Sequence, residues 1–160
     1  MVDIKVRIPG LSQAVLARFV SRAQRAAKLR GEVNVLVTNN GELRRLNRCF
    51  RGKNRPTDVL SFPAVRDAAK GLAGDVAISA QMAAYNAHRL GHTTTQEIQI
   101  LVLHGILHLA GYDHERDNGQ MASTEARLRA ALGLPLGLIE RNQPKQRERA
   151  PMRPKRAMRA

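Results

Sequence analysis

Residues 96–110 constrain the fold more than any other stretch of this 160-residue chain. Ile98, Ile100, Leu101, Val102, Leu103, Ile106, Leu107 and Leu109 cover almost every side of a helical projection. A helix that is apolar nearly all round belongs in the middle of a domain, so the other elements are expected to wrap around this one. It also carries two imidazoles, His104 and His108. Being four residues apart, they project from one face about one turn from each other. Ring nitrogens buried in such a helix must be satisfied, and a metal ion would do that. Thr93 to Thr95 offer an N-terminal cap, and Gly111 offers the left-handed position at which a helix can stop. Beyond it the chain turns through Tyr112 and Asp113 and can bring His114 back towards the other two. Three of the five histidines thus lie within eleven residues.

Three converging imidazoles with no obvious fourth ligand describe a metal site with an open coordination position. A catalytic zinc keeps such a position for water or substrate. One Zn2+ per chain suits the set, and copper, nickel or iron also accept imidazole. Cys49 is the only cysteine. It is chemically able to be a fourth ligand, but its expected place is among small packing residues. A single cysteine excludes an intrachain disulfide and fits a reducing compartment.

Elsewhere the pattern alternates between strand and helix. Val2, Ile4, Val6 and Ile8 predict a strand over residues 3–8, ended by Pro9-Gly10. Leu11 to Ala27 carry apolar residues at helical spacing over residues 11–29, with Ser12 as cap. A strand is expected over residues 32–38, a turn at Asn39-Asn40-Gly41, and a helix over residues 42–50 with Leu43, Leu46 and Phe50 inward. Strands over residues 59–62 and 75–78 follow, the latter led in by Gly71 to Gly74. A helix over residues 80–90 is capped by Ser79, and the last helix spans residues 118–132. The fold class is therefore α/β (α+β): a single four-stranded mixed sheet against about five helices, with the buried helix bearing the histidines at its centre. Residues 1–138 are expected to form one domain.

Residues 141–160 hold eight lysines and arginines against Glu148, half of the chain's net charge of +14. With Pro144, Pro151 and Pro154 and little apolar bulk, residues 139–160 are expected to be a disordered basic tail. The charge left on the body favours a polyanionic partner. The N-terminus lacks the pattern of a signal peptide, and no apolar stretch approaches a membrane span. A soluble, cytoplasmic monomer with no membrane partner is expected.

The nearest general motif is His-Glu-x-x-His, whose glutamate is the general base of a metalloprotease. Here Gly105 follows His104, so that base is missing. Hydrolysis in which the metal acidifies water or polarises a phosphoryl oxygen remains open. A phosphodiester transition state then needs a cation on its oxygens, and the guanidinium fork suits phosphate best. Arg51, Lys53 and Arg55 lie in one loop beside Gly52 and are candidates for phosphate or RNA contact. Asp113 is a candidate for orienting an imidazole, and His88 for lining the cleft as a proton donor; His92 is expected at the surface or in a loop.

Several strings occur together in one order: Leu46-Asn47 through Phe50-Arg51-Gly52-Lys53, Pro56-Thr57-Asp58-Val59-Leu60-Ser61-Phe62-Pro63, Gly74-Asp75-Val76-Ala77-Ile78, and the histidine motif followed by Met121 and Glu125. In this the chain resembles the YbeY family over roughly residues 2–135. The resemblance implies a metal-dependent bacterial endoribonuclease, usually a zinc protein. Such proteins act on single-stranded RNA in maturation of the 16S rRNA 3′ end and in ribosome quality control. The implied partners are the 16S rRNA precursor and the small ribosomal subunit with its associated proteins. It implies His104, His108 and His114 as metal ligands, with Arg51 and His114 at the chemistry. Two other classes are compatible with the residues: a ribosome-assembly RNA-binding factor with a structural metal, and a zinc hydrolase of another substrate. Phe50, Phe62, Tyr85 and Tyr112 are the aromatic candidates for base stacking beyond Phe19, so RNA binding is expected to lean on charge and be salt-sensitive.

Overall fold

Alternating valines build the centre of the sheet. In β2 (Glu32–Thr38) Val33, Val35 and Val37 are buried, as are Val76 and Ile78 in β4 (Leu72–Ser79). These strands pair in parallel, β1 (Val2–Ile4) adds to β2 in parallel, and β3 (Val59–Pro63) adds to β4 antiparallel. The order is β1-β2-β4-β3, one four-stranded mixed sheet with β3 at an edge. The computed structural model describes residues 1–65 and 71–135. The tail expected over residues 139–160 lies outside the described residues.

The helices are α1 (Gln13–Ala27), α2 (Asn40–Arg51), α3 (Ala80–Leu90), α4 (Thr94–Leu109) and α5 (Gln120–Leu132). Ten of the sixteen residues of α4 are buried, as its apolar circumference requires. The main core joins α4 to Leu16 and Phe19 of α1, Met121 and Leu128 of α5, and the valine face of the sheet. Odd and even positions of a strand face opposite ways, so Leu60 and Ala77 meet Leu43 of α2 on the other side in a smaller core. Thr93 caps α4 by accepting from Gln96 N at 3.1 Å, with the reciprocal Gln96 contact completing a capping box. No helix among the described residues is long and apolar enough to cross a membrane.

Five local expectations need correction. The first strand does not reach residue 8: its partners in β2 run out, and Lys5 N to Val37 O (2.8 Å) is the last link. The turn at Asn39-Asn40-Gly41 is instead a helix start, because the Asn39 side chain accepts from Glu42 N at 2.9 Å and caps α2. β4 begins at Leu72, not Asp75; Gly74 belongs to the strand, where an added Cβ would lie 2.5 Å from Phe62 O. Within α2, Phe50 is 68% exposed, and Asn47 is buried alongside Leu43. Asn47 turns inward because its Nδ2 donates to Arg55 O at 2.9 Å, tying down the loop that follows. Cys49, expected to pack, is exposed.

Candidate metal centre and basic cleft

The histidine helix can approach the sheet because of Gly105. A Cβ there would sit 2.7 Å from Val76 Cγ1 and 3.1 Å from Ser61 Oγ, and Ser61 Oγ donates to Gly105 O at 3.3 Å. The glutamate of a metalloprotease has no room at this position, which gives a steric reason for its absence. Gly105→Ala is expected to destabilise the protein by about 1–3 kcal/mol through overpacking, measurable by denaturant unfolding. An unchanged midpoint would show that the helix stands further from the strands.

α4 ends after Leu109 in a glycine-terminated turn. Gly111 takes a φ of +99°, Gly111 N donates to His108 O, and Tyr112 N donates to Leu107 O, both at 3.0 Å. This turn returns His114 to the helix. The ring centroids of His104 and His108 are 4.7 Å apart, and each lies 5.4 Å from that of His114. One nitrogen from each ring falls within 4.8 Å of the others. His104 is buried, His108 half-buried and His114 exposed, so the cluster opens to solvent on the His114 side.

The outer nitrogens of the two helix histidines both face acceptors of the protein, His108 within hydrogen-bond reach and His104 without a hydrogen bond. His108 Nδ1 lies 3.0 Å from Tyr112 O, and a carbonyl can only accept, so that nitrogen carries the hydrogen. His104 Nδ1 lies 3.5 Å from Glu125 Oε1. The Nε2 atoms of the two rings face one another at 3.1 Å, and that of His108 presents a lone pair because its hydrogen sits on Nδ1. With one nitrogen from each of three imidazoles within 4.8 Å of the others, the donor set fits a metal ion. Burial holds His108 well below the ordinary histidine value, at about 4, with the neighbouring His104 and His114 adding to the effect and the Tyr112 carbonyl opposing it. The ring is thus neutral and able to donate at physiological pH.

Glu125 was not singled out for a role from sequence, although a signal was present. Met121, Glu125 and Leu128 share the buried face of α5, and a carboxylate on an apolar stripe needs a partner. Glu125→Gln is expected to lower metal affinity by about 10- to 100-fold, the usual effect of removing an orienting carboxylate. A metal titration checks this, and an unchanged affinity would remove Glu125 from the site.

The cluster lines a cleft of about 500 Å³ together with Arg51, Asp58, Ser61, Tyr112 and Asp113. Arg51 is the last residue of α2 and reaches the edge strand, donating through Nη2 to Ser61 O at 3.2 Å. A neighbouring depression of about 330 Å³ shares Arg51 and adds Lys53 and Arg55. Gly52, at φ +67°, ends α2 and turns the chain into this loop; Arg44 Nε to Asn54 Oδ1 at 2.9 Å holds its outer side. Arg51, Lys53 and Arg55 have no acidic partner within ion-pair distance among the described residues.

Two nominated residues are placed differently. The Asp113 carboxylate accepts from Glu115 N at 3.1 Å and faces Arg116 Nε at 3.5 Å, so it braces its own turn; Tyr112 O and Glu125 take the orienting positions. His88 is exposed near the end of α3 and does not line the cleft. His92 lies in the loop between α3 and α4, as expected, with its side chain turned inward to 2.5 Å from Glu97 Oε2, in the first turns of α4. That is eleven residues from His108, or about 16 Å along the helix.

A cluster of three imidazoles in a solvent-open cleft, beside a depression lined by Arg51, Lys53 and Arg55, defines a site able to hold a metal ion and to receive an anion. Comparison with known proteins adds the lineage. The family model described as Endoribonuclease YbeY matches residues 3–133. A protein named Endoribonuclease YbeY from Koribacter versatilis is 53% identical over 141 residues, covering 88% of this chain and 91% of the relative. The protein of that name from Solibacter usitatus is 53% identical over 133 residues, 83% of this chain and 88% of the relative. The solution structure of TM1509 from Thermotoga maritima superposes with a TM-score of 0.56 at 30% identity, covering 82% of this chain and 89% of that one. The chain belongs to the YbeY endoribonuclease family.

Proposed function

We propose that this protein is a metal-dependent endoribonuclease that cuts single-stranded RNA, acting on the 16S rRNA precursor in 3′-end maturation and in ribosome quality control. The observation that carries the reading is the convergence of His104, His108 and His114 in the cleft that also holds Arg51. His104 and His108 would hold the ion from the helix through Nε2, and His114 from the loop. A divalent ion such as zinc supplies, when bound, acidification of water and neutralisation of phosphoryl charge. The Tyr112 carbonyl keeps His108 in the tautomer that faces the ion, and Glu125, 3.5 Å from His104 Nδ1, would do the same for His104. Arg51 is held at Ser61 O by one of its five N–H donors, and the others are available to the oxygens of a scissile phosphate. Lys53 and Arg55 extend the positive wall for the adjoining backbone.

Gly105 weighs against a peptidase, since the general base of that chemistry has no room. The exposure of His114 weighs against a purely structural ion, which would be sealed by a fourth protein donor. Metal-loaded protein is expected to cut single-stranded RNA, and chelator to stop the cutting while the domain stays folded by circular dichroism. Unfolding on metal removal with RNA affinity intact would favour the assembly factor. Activity on peptides or small esters and none on RNA would favour a different hydrolase.

A further inference from the structure

The cleft accounts for only part of the positive charge of the described residues. From Ile4 to Gly31 there is no Asp or Glu, and the same stretch carries Lys5, Arg7, Arg18, Arg22, Arg25, Lys28 and Arg30. Lys5 pairs with Asp3 at 3.0 Å. The five from Arg18 onward are exposed and have no acidic partner among the described residues. Arg18, Arg22 and Arg25, at spacings of four and three, form one ridge on α1, opposite the face that buries Leu16, Phe19, Val20 and Ala23. Lys28, at the left-handed C-cap, and Arg30 continue it. A shallow groove beside the ridge adds Ser21 as a neutral donor.

This ridge costs the fold energy. Arg18 and Arg22 are like charges one turn apart, a pairing that weakens a helix, and no acidic neighbour offsets it. An external anion would. The exposed residues of α1 are Gln13, Ala14, Ala17, Arg18, Ser21, Arg22 and Arg25. They include no bulky apolar side chain to enter a lipid surface and no aromatic ring to stack an unpaired base. Charge with small polar donors suits a phosphate backbone read by shape, as in paired RNA. The ridge spans roughly 10 Å from Arg18 to Arg25, enough for two or three phosphates. α1 packs by β1, at the opposite sheet edge from β3, which lines the cleft.

We infer that the exposed face of α1 docks the backbone of a helical RNA segment, so that substrate is held at two places: a paired region on α1 and a single strand in the cleft. This rests on the nuclease reading for the second half and not for the first. The test uses the full chain with Arg18→Gln, Arg22→Gln and Arg25→Gln combined, since glutamine keeps helix propensity and the positions are exposed. Melting temperature serves as the fold control, with Arg22→Gln alone as a milder second variant. Two RNAs are compared: a hairpin with a single-stranded 3′ extension, and the extension alone. On the hairpin, the slope of log affinity against log salt is expected to fall by about two to three, and KM to rise about tenfold with kcat unchanged. The single variant should lose about one unit of slope. Neither quantity should move on the short strand. An unchanged slope on the hairpin overturns the inference, as does an equal loss on the short strand. Loss of binding to phosphatidylserine vesicles with hairpin binding intact overturns it in favour of a lipid surface. Wild type that binds the hairpin with the steeper slope but cuts neither RNA supports the docking face and overturns the nuclease reading instead.

Discussion

Arg51→Ala is expected to lower kcat on single-stranded RNA by about 100- to 1,000-fold, the usual cost of removing one preorganised donor from a developing negative charge. The fold should survive. Arg51 is exposed, and its one recorded bond, to Ser61 O, lies on an edge strand, where a lost hydrogen bond costs about 1 kcal/mol. Arg51→Lys should recover only part of the rate, because lysine keeps the charge but not the planar fork. The informative comparison is kcat against KM. A variant with a raised KM and wild-type kcat would mean that Arg51 binds substrate and transition state equally, and the role given to it would be wrong.

His114→Ala is expected to abolish cutting and to weaken metal binding by more than the 10- to 100-fold expected at Glu125, because it removes a donor rather than its support. It is the cleanest of the three histidines to test. His104 is buried within α4, so its loss would mix a cavity with a missing ligand, whereas His114 stands exposed on the loop after the helix. The thermal transition of the metal-free variant should match that of the metal-free parent. Unchanged affinity for one equivalent of zinc in His114→Ala would show that the loop histidine lies outside the coordination sphere.

Much of this was legible because the governing signals are local. An all-round apolar helix must be central, two imidazoles four apart must share a face, and a glycine after the last helical turn can take the left-handed conformation that ends it. All three hold in α4 and the turn at Gly111. The single mixed sheet with five helices follows from alternation and capping residues in the same way. What was missed depends on partners distant in sequence. Only the register of β2 shows that the first strand has nothing to pair with past Lys5. Only the fold brings Glu125 to His104, twenty-one residues away. Phe50 was assigned inward by periodicity, yet Asn47 holds the buried position because it ties down the loop at Arg55. Asp113 was nominated by chemistry type, and a backbone carbonyl one residue earlier, invisible in any side-chain pattern, occupies the orienting position instead.

The central claim is that three imidazoles hold one ion with a coordination position facing the cleft. X-ray absorption at the zinc edge of the loaded protein tests it most directly. The expected spectrum has three nitrogen donors at about 2.0–2.1 Å, one light-atom position that changes when phosphate is added, and a stoichiometry of one ion per chain. A shell closed by four protein donors, or a sulfur at about 2.3 Å from Cys49, would contradict it.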